Sequence, residues 1–199
     1  YPVVQDNDYK TWDNYANQYW PAEYLIDRTG HVRHTHFGEG EYGQTEQLIR
    51  RLLGANGPRA RRVADATPDE IMTPETYLGA ERIADYTGSR LAPDRFATYQ
   101  AAVSLPQNGL TYGGSWRVEA QQIVAGRGAF LRLHFHAKNV YIVLGGRGTV
   151  RATIDGRPAG TIYVNAYRLY TVRSSAKVAD ATLELQFSPG VRGYSFTFG

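Results

Sequence analysis

Two histidines, His134 and His136, stand two residues apart, a spacing that places both imidazoles on one face of a β-strand. Imidazole is a common metal ligand, so the pair could bind one ion. A metal held by only two protein side chains binds weakly, because protein sites usually supply three or four ligands. We therefore predict no metal site, and we expect both histidines on the solvent-exposed face of a strand, beside Arg132.

A second set of residues could bind carbohydrate. Exposed aromatic rings stack on sugar rings, and Arg, Asn, Gln or Asp side chains bind the hydroxyl groups. The candidates are Tyr112, Trp116, Tyr163, Asn165 and Tyr167. Tyr163 and Tyr167 lie near a junction of strand and loop and are the stronger candidates. Trp116 alternates with apolar residues and is expected in the core.

Other chemistries are excluded by composition. The 199 residues include no cysteine, which excludes disulfides, thiolate metal sites and thiol catalysis within this chain. No serine lies in a nucleophile-elbow pattern, and the glycine-rich segment 145–148 lies between β segments and predicts a turn. The net charge of +3 is too small to indicate a nucleic-acid partner. Nothing in the sequence calls for a cofactor.

The first 53 residues mix helical and strand patterns. They predict the order strand, helix, strand, strand, helix, with a hairpin turn at residues 27–30. The elements are residues 1–4, a helix capped by Asp8, residues 22–27, residues 31–37, and a helix that carries Leu48, Ile49, Leu52 and Leu53 and ends at Gly54.

From about residue 79 the chain alternates apolar and polar residues over short segments. Strands with one buried face and one solvent-exposed face belong to antiparallel sheets. The clearest are residues 115–124, 129–137, 149–155, 182–187 and 194–198. About eight strands with frequent turns predict an all-β, jelly-roll-like sandwich, with one short helix near residues 94–102.

These patterns divide the chain into three parts. Residues 1–57 form a first, α/β part, and residues 79–199 form the β-sandwich. Residues 58–78 carry three prolines and little apolar periodicity, which is typical of a linker.

Residues 1–57 resemble the C-terminal half of a thioredoxin-like domain of the TlpA and alkyl-hydroperoxide-reductase type. The residues that carry the resemblance are Tyr1-Pro2-Val3-Val4, Asp6, Trp20-Pro21-Ala22-Glu23-Tyr24-Leu25-Ile26-Asp27, Gly30 and Gly38. In that family the proline matching Pro21 is cis and faces the redox disulfide, and the residue matching Trp20 offers its backbone to the thiol partner. The resemblance thus implies that Trp20 and Pro21 shape a redox-partner groove. The alternative is an ordinary proline ahead of an edge strand.

The whole chain is similar to the extracytoplasmic C-terminal region of DipZ-type thiol–disulfide interchange proteins. The further matching segments are residues 73–79 (TPETYLG), Trp116, 131–133, Phe135, Ala137, 140–144, 168–170 and 194–199 (YSFTFG). Such proteins join a membrane electron-transfer domain to a thioredoxin-like domain and to a β-sandwich similar to carbohydrate-binding modules.

The resemblance implies the extracytoplasmic, soluble part of a membrane-bound thiol–disulfide oxidoreductase, linked to membrane electron transfer and cytochrome c maturation. The implied partners are the membrane domain, protein disulfide substrates and cell-wall glycan, with no nucleic acid.

The Cys-x-x-Cys half of the thioredoxin-like domain has no counterpart in this chain, so the domain is incomplete here. In the family, the strand before that motif lies between the strands matching residues 1–4 and 22–27. Without it, backbone groups of both strands lose their partners. We expect another polypeptide, either a clipped N-terminal piece or a separate fragment, to supply this missing N-terminal segment.

Two alternatives stay open. The first is a carbohydrate-binding or partner-docking module with no catalysis, in which the thioredoxin remnant is only structural. The second and weaker one is a cupin-like metalloprotein that uses His134 and His136. The cupin pattern needs a glutamate where Val140 or Tyr141 stands, and a further histidine that residues 156–170 do not contain.

Overall fold

A computed structural model describes residues 2–6, 8–17, 19, 21–38, 40–58 and 72–199. It divides the chain into two compact units, Tyr1–Glu70 and Ile71–Gly199, hereafter unit 1 and unit 2. Across the described ranges, none of the helices has the length and apolar character that crossing a membrane requires. Part of the expected linker at residues 58–78 lies outside the described residues.

Unit 1 contains two helices and one hairpin. Its elements are α1 (Lys10–Asn14), β1 (Ala22–Ile26), β2 (Val32–Phe37) and α2 (Tyr42–Leu53). The two strands pair antiparallel, with Ala22 opposite Phe37. Helix α2 ends at Gly54, whose positive φ of 62° suits a residue without a side chain. The predicted hairpin and second helix are confirmed.

The hairpin turn is held by the carboxylate of Asp27. Its Oδ1 accepts hydrogen bonds from the Thr29 N–H (2.8 Å), the Thr29 hydroxyl (2.6 Å) and the His31 N–H (3.1 Å). Arg33 Nε lies 2.5 Å from Oδ2. The hydrogen bond from Thr29, followed by those from His31 and Arg33, holds the pKa of Asp27 well below its usual range.

Asp6, and not the expected Asp8, supplies the carboxylate that accepts the free N–H groups at the start of α1, whose N-cap position is Tyr9. The Asp6 carboxylate accepts the backbone N–H groups of Thr11 (3.0 Å) and Trp12 (2.9 Å). The reason is that α1 begins only at Lys10, so its first free N–H groups lie further along the chain. These two backbone hydrogen bonds lower the pKa of Asp6.

The predicted strand at residues 1–4 is not formed. Tyr1 lies outside the described residues, and residues 2–4 are not part of any strand. The side chains of Val3 and Val4 are 82% and 83% exposed. No described strand pairs with this segment, and an unpaired extended segment gains nothing from a β conformation. That a separate polypeptide supplies its neighbour stays a prediction.

Unit 2 is built from antiparallel strands. They are β3 (Thr76–Tyr77), β4 (Phe96–Tyr99), β5 (Leu110–Val118), β6 (Ile123–Ala125), β7 (Phe130–Ala137), β8 (Val140–Gly145), β9 (Gly148–Ile154), β10 (Arg157–Val164), β11 (Arg168–Arg173), β12 (Ala179–Phe187) and β13 (Arg192–Phe198). Every pairing among these named strands is antiparallel, as predicted.

Two local expectations in unit 2 are wrong. A short helix was expected near residues 94–102, but the structure has strand β4 there, which pairs with β5 along four residues. A single strand was expected at residues 115–124, but these residues form the end of β5, a turn and the start of β6. The Glu119 N–H bonds to the Gln122 carbonyl across that turn. Tertiary pairing decides both cases, because short apolar segments suit several local structures.

Strand β5 belongs to two sheets. Its residues 110–113 pair with β7, at the edge of the order β10-β9-β12-β7-β5. Its residues 114–117 pair with β4, and its last three residues pair with β6, in the order β5-β6-β13-β8-β11. This antiparallel two-sheet unit supports the coarser part of the predicted fold. The jelly-roll-like connection of its strands stays a prediction.

The two sheets share one hydrophobic core, formed by the alternate, inward residues of their strands. Its fully buried members include Leu78, Leu110, Leu131, Leu133, Phe135, Ile142, Leu144, Leu183, Leu185 and Phe196. Buried aromatic residues there keep their polar atoms bonded. The Tyr112 hydroxyl donates to the Leu78 carbonyl (2.7 Å), and Trp116 Nε1 donates to the Gly113 carbonyl (3.0 Å).

The change of sheet within β5 occurs at Gly113 and Gly114. Gly114 has a φ of 76°, and a Cβ there would collide with the carbonyl oxygen of Gly128. At Gly113 a Cβ would collide with the ring of Phe130. The backbone can pass from one sheet to the other because neither position carries a side chain.

We expect Gly114→Ala to destabilise unit 2 by at least about 3 kcal/mol, since backbone strain and a backbone collision act together. The matched control is Gly156→Ala. Gly156 has a φ of 74° with open space around its Cβ position, so only strain of about 1 kcal/mol is expected. Urea unfolding followed by amide NMR signals of β5 and β7 measures both. Equal losses would contradict the assignment.

Candidate functional site

The predicted redox-partner groove is only partly described. Trp20, and with it the Trp20–Pro21 bond, lies outside the described residues. Pro21 is half-buried and stands directly before β1. Its carbonyl accepts the N–H of Gly38, at 2.8 Å, just beyond the end of β2. The hairpin thereby fixes the position of Pro21, and the role of both residues stays a prediction.

Aromatic side chains gather around the same hairpin. Tyr19 and Phe37 have ring centroids 4.6 Å apart, and Tyr24 lies 6.1 Å from Phe37. The Tyr24 hydroxyl donates to Asn17 Oδ1 at 3.0 Å. Tyr19 and Phe37 remain 47% and 45% exposed. Sequence analysis missed Phe37, although its register opposite Ala22 places it one residue from Pro21.

Apolar surface of unit 1 is left open on α2. Ile49, Leu52 and Leu53 are 39%, 39% and 62% exposed, and no residue of this helix is buried. Exposed apolar residues at this spacing form one stripe along the helix. Contiguous exposed apolar surface is typical of a site that another segment or partner covers.

The structure separates the carbohydrate candidates into two groups. Tyr112 and Trp116 are fully buried in the core of unit 2, so neither can stack on a sugar, and their candidacy is wrong. Both occupy inward positions of β5, where packing against Phe187 and neighbouring rings holds them. The strand alternation already indicated the core for Trp116, and the same rule extends to Tyr112.

Tyr163, near the end of β10, is followed closely in the chain by Asn165 and Tyr167, which lie in the loop between β10 and β11. Tyr163 is 74% exposed and Tyr167 is 67% exposed. We call these three residues the tyrosine loop. They offer two accessible rings and one amide on a single short segment, which is the type of surface that stacks on sugars.

The tyrosine loop is anchored by two residues that sequence analysis missed. The Tyr170 hydroxyl accepts the backbone N–H groups of Asn165 and Ala166, each at 3.2 Å, and donates to the Ala166 carbonyl at 2.9 Å. The rings of Tyr167 and Tyr194 meet edge to face with centroids 4.8 Å apart. Only the tertiary structure shows these contacts, because Tyr194 lies on a distant strand.

The two histidines of β7 face a carboxylate on β12. His134 Nε2 lies 2.6 Å from Asp180 Oδ1, and His136 Nδ1 lies 3.6 Å from Asp180 Oδ2. Both imidazoles lie on the outer face of the sheet, where they were expected. In the described part of the chain, no three His, Cys, Asp or Glu side chains are arranged to hold a metal ion.

This pairing changes how the groups titrate. The hydrogen bond that His134 donates to Asp180 raises the pKa of His134, and the carbonyl of Leu105, 3.3 Å from Nδ1, adds to the effect. Accepting this hydrogen bond from His134 lowers the pKa of the Asp180 carboxyl group. A carboxylate and a carbonyl at the two ring nitrogens favour the doubly protonated imidazolium, because each nitrogen then donates.

Comparisons with known proteins agree with the sequence resemblance. A family model described as the thioredoxin-like C-terminal domain matches residues 73–199. Protein DipZ of Mycobacterium bovis and protein DipZ of Mycobacterium tuberculosis are each 40% identical to this chain over 207 residues. The alignment covers 100% of this chain and 30% of either relative, so the chain spans about a third of their length.

Two further matches cover shorter stretches. The thiol-disulfide oxidoreductase YkuV of Bacillus subtilis is 35% identical over 52 residues, which is 26% of this chain and 35% of that protein. A family two carbohydrate esterase from Clostridium thermocellum, solved in complex with cellohexaose, aligns over 46% of this chain and 31% of its own, with 24% identity and a TM-score of 0.41. A score this low carries no functional argument.

We expect Asp180→Asn to lower the pKa of His134 toward the ordinary value of about 6.5. Since folding raises this pKa, the pair stabilises unit 2 fully below the unfolded pKa, and the contribution is lost as pH rises through the folded one. An NMR titration of the imidazole protons measures the change. The control is Asp94→Asn, which removes a carboxylate of unit 2 away from the histidine pair. An unchanged His134 titration in Asp180→Asn would contradict the assignment.

Proposed function

This chain belongs to the thioredoxin-like C-terminal domain family, and its whole length is similar to a region of DipZ; from that membership we propose that it is the extracytoplasmic part of a thiol–disulfide oxidoreductase. The single observation that supports this most is 40% identity along the whole chain to a much longer protein. In this proposal the reacting thiols belong to residues outside this sequence, which contains no cysteine.

The proposed reaction is thiol–disulfide exchange. A thiolate of the Cys-x-x-Cys pair attacks one sulfur of a partner disulfide, the partner's S–S bond breaks, and a mixed disulfide forms. The second cysteine then attacks the mixed disulfide and releases the partner with two thiols. The pair itself becomes a disulfide, and the membrane electron-transfer domain restores its two thiols by supplying two electrons.

Unit 1 supplies the surroundings of that pair. In this proposal Trp20 and Pro21 line the groove that holds the partner, beside the half-exposed rings of Tyr19 and Phe37. The open stripe on α2 and the unpaired residues 2–4 are the surfaces that the Cys-x-x-Cys half covers. Covering them removes apolar surface from water and gives the extended segment a neighbour.

Unit 2 positions the redox unit on the extracytoplasmic side of the membrane. The partners in this proposal are the membrane domain, protein disulfides and cell-wall glycan. Delivery of reducing equivalents to extracytoplasmic proteins would serve cytochrome c maturation among other substrates. The proposed limits are residues 1–57 for the thioredoxin-like part and 79–199 for the sandwich. Of the residues 58–78 between them, Thr76–Tyr77 pair with β13 and Leu78 is buried in the core of unit 2.

The test uses the native polypeptide that carries this sequence, captured from cell membranes with an antibody against unit 2. Intact mass spectrometry is expected to show a longer chain that gains two alkyl groups only after reduction. In that polypeptide, Pro21→Ala is expected to slow insulin reduction about tenfold, because the groove loses its shape.

The matched control is Pro158→Ala, on the exposed edge strand β10, which should leave the rate unchanged. A native polypeptide without cysteine would end the oxidoreductase proposal. Equal rates for Pro21→Ala and the parent would remove Pro21 from the groove.

A second function, binding of glycan by unit 2, is favoured by the tyrosine loop. Tyr163, near the end of β10, is 74% exposed, and Tyr167, on the loop anchored by Tyr170, is 67% exposed. The ring of Tyr167 is held edge to face against Tyr194, so it has less freedom to lose on binding, which favours affinity. This is the alternative in which the chain binds a carbohydrate or docks a partner without catalysis.

We expect Tyr163→Ala and Tyr167→Ala each to weaken binding of the chain to purified cell-wall glycan about fivefold, the effect of about 1 kcal/mol of lost stacking. Sedimentation with the insoluble glycan measures the bound fraction. Phe96→Ala is the control, since Phe96 is 53% exposed on another strand. Equal loss in all three variants would indicate nonspecific adhesion.

A further inference from the structure

A row of side chains crosses the outer face of the sheet β10-β9-β12-β7-β5. The strand register places Phe130 opposite Gln186, Gln186 opposite Arg151, and Arg151 opposite Thr161. Neighbouring strands lie about 4.8 Å apart, so the four side chains span roughly 14 Å. At the end of the row, Gly113 stands opposite Phe130 and leaves room for its ring.

A cavity of about 490 Å³ opens over this row. Its floor includes Phe130, Gln186 and Arg151, and its wall includes Thr149 and Ser188. Two hydrogen bonds tie the wall together: the Thr149 N–H donates to Ser188 Oγ (2.8 Å), and the Ser188 N–H donates to the Thr149 carbonyl (2.9 Å). This volume falls in the range of about 300–1,000 Å³ typical of small-ligand sites.

Arg151 differs from the other charged groups on this face. Arg132 is paired with Glu184 at 2.7 Å, and both histidines face Asp180. Within the ranges that the structure describes, no carboxylate lies within 4 Å of the Arg151 guanidinium. A cation on the floor of a cavity, without a protein partner, is suited to an anionic group of a ligand.

We propose that this cavity, the Arg151 pocket, binds a saccharide that carries a carboxylate. The guanidinium of Arg151 takes the carboxylate, and the amide oxygen of Gln186 and the hydroxyl of Thr149 bind sugar hydroxyls. The amide nitrogen of Gln186 already donates to Glu184 Oε1 at 3.1 Å. The ring of Phe130 contacts an apolar sugar face. The inference rests on the proposed glycan-binding function of unit 2 and deepens it, since it names a ligand class and a site separate from the tyrosine loop.

The geometry favours a saccharide over an acidic peptide. Peptides bind to sheet proteins along an open strand edge, or with side chains in apolar pockets. The floor of the Arg151 pocket is instead the face of the sheet, where the ladder pairs the strand backbones. A flat row of one ring and several polar groups suits the mixed apolar and hydroxyl surface of a sugar.

The test is an NMR titration of the full chain with trigalacturonate. The acid is expected to shift the amide signals of Phe130, Gln186 and Arg151. The fully methyl-esterified trisaccharide, which has the same skeleton without charge, should bind at least about tenfold more weakly.

Arg151→Gln should weaken binding of the acid at least about tenfold as well. The matched control is Arg157→Gln, which removes the same charge from the same sheet at the far end of the β9–β10 hairpin. Its dissociation constant should change less than about twofold, because screening weakens distant charges. Equal effects of the two substitutions would overturn the assignment of Arg151.

Other outcomes separate this inference from the function on which it rests. Equal affinity for the acid and its ester would overturn the acidic class and leave glycan binding intact. Shifts confined to the tyrosine loop would overturn the pocket alone. Equal affinity for triglutamate or inorganic phosphate would overturn selectivity for a saccharide. No shift anywhere in unit 2 with either trisaccharide would overturn the pocket, while failure of cell-wall glycan to bind would end the glycan function.

Discussion

The passage of β5 from one sheet to the other is the constraint on which unit 2 depends. One strand pairs with β7 through residues 110–113 and with β4 through residues 114–117, so both sheets share its backbone. The left-handed conformation of Gly114 and the absence of a side chain at Gly113 permit this change of direction. The buried Tyr112 and Trp116 flank the change, and their hydrogen bonds to backbone carbonyls fix its geometry.

The same constraint shapes the outer surface. The ring of Phe130 lies where a side chain at Gly113 would stand, and the surface beside it opens into the Arg151 pocket. Further along the sheet, ion pairs occupy the outer face, first Arg132 with Glu184 and then His134 with Asp180. The charges of these pairs offset one another, whereas Arg151, beside the cavity, has no carboxylate partner among the described residues.

Unit 1 presents the opposite situation, because its order is mainly local. Asp6 and Asp27 hold a helix and a turn through hydrogen bonds to nearby backbone, yet neither helix buries a residue. Apolar side chains on α2 and at residues 3 and 4 face outward. Local hydrogen bonds suffice to define such elements, whereas a core requires surfaces from several elements at once. This agrees with a chain that spans about a third of its curated relatives.

The sequence by itself determined the elements whose pattern is periodic, the family and the chemistry that the chain lacks. Alternation placed His134 outward and Trp116 inward, and the absence of cysteine excluded thiol chemistry in this chain. Only the tertiary structure decided that residues 96–99 form β4 and that β5 ends at Val118. It also decided that the histidines face Asp180 and that Arg151 lies in a row with Gln186. Those features depend on pairing between residues such as Arg151 and Gln186, which are far apart in the chain. Local pattern specifies which face a side chain occupies, but strand register specifies what lies beside it.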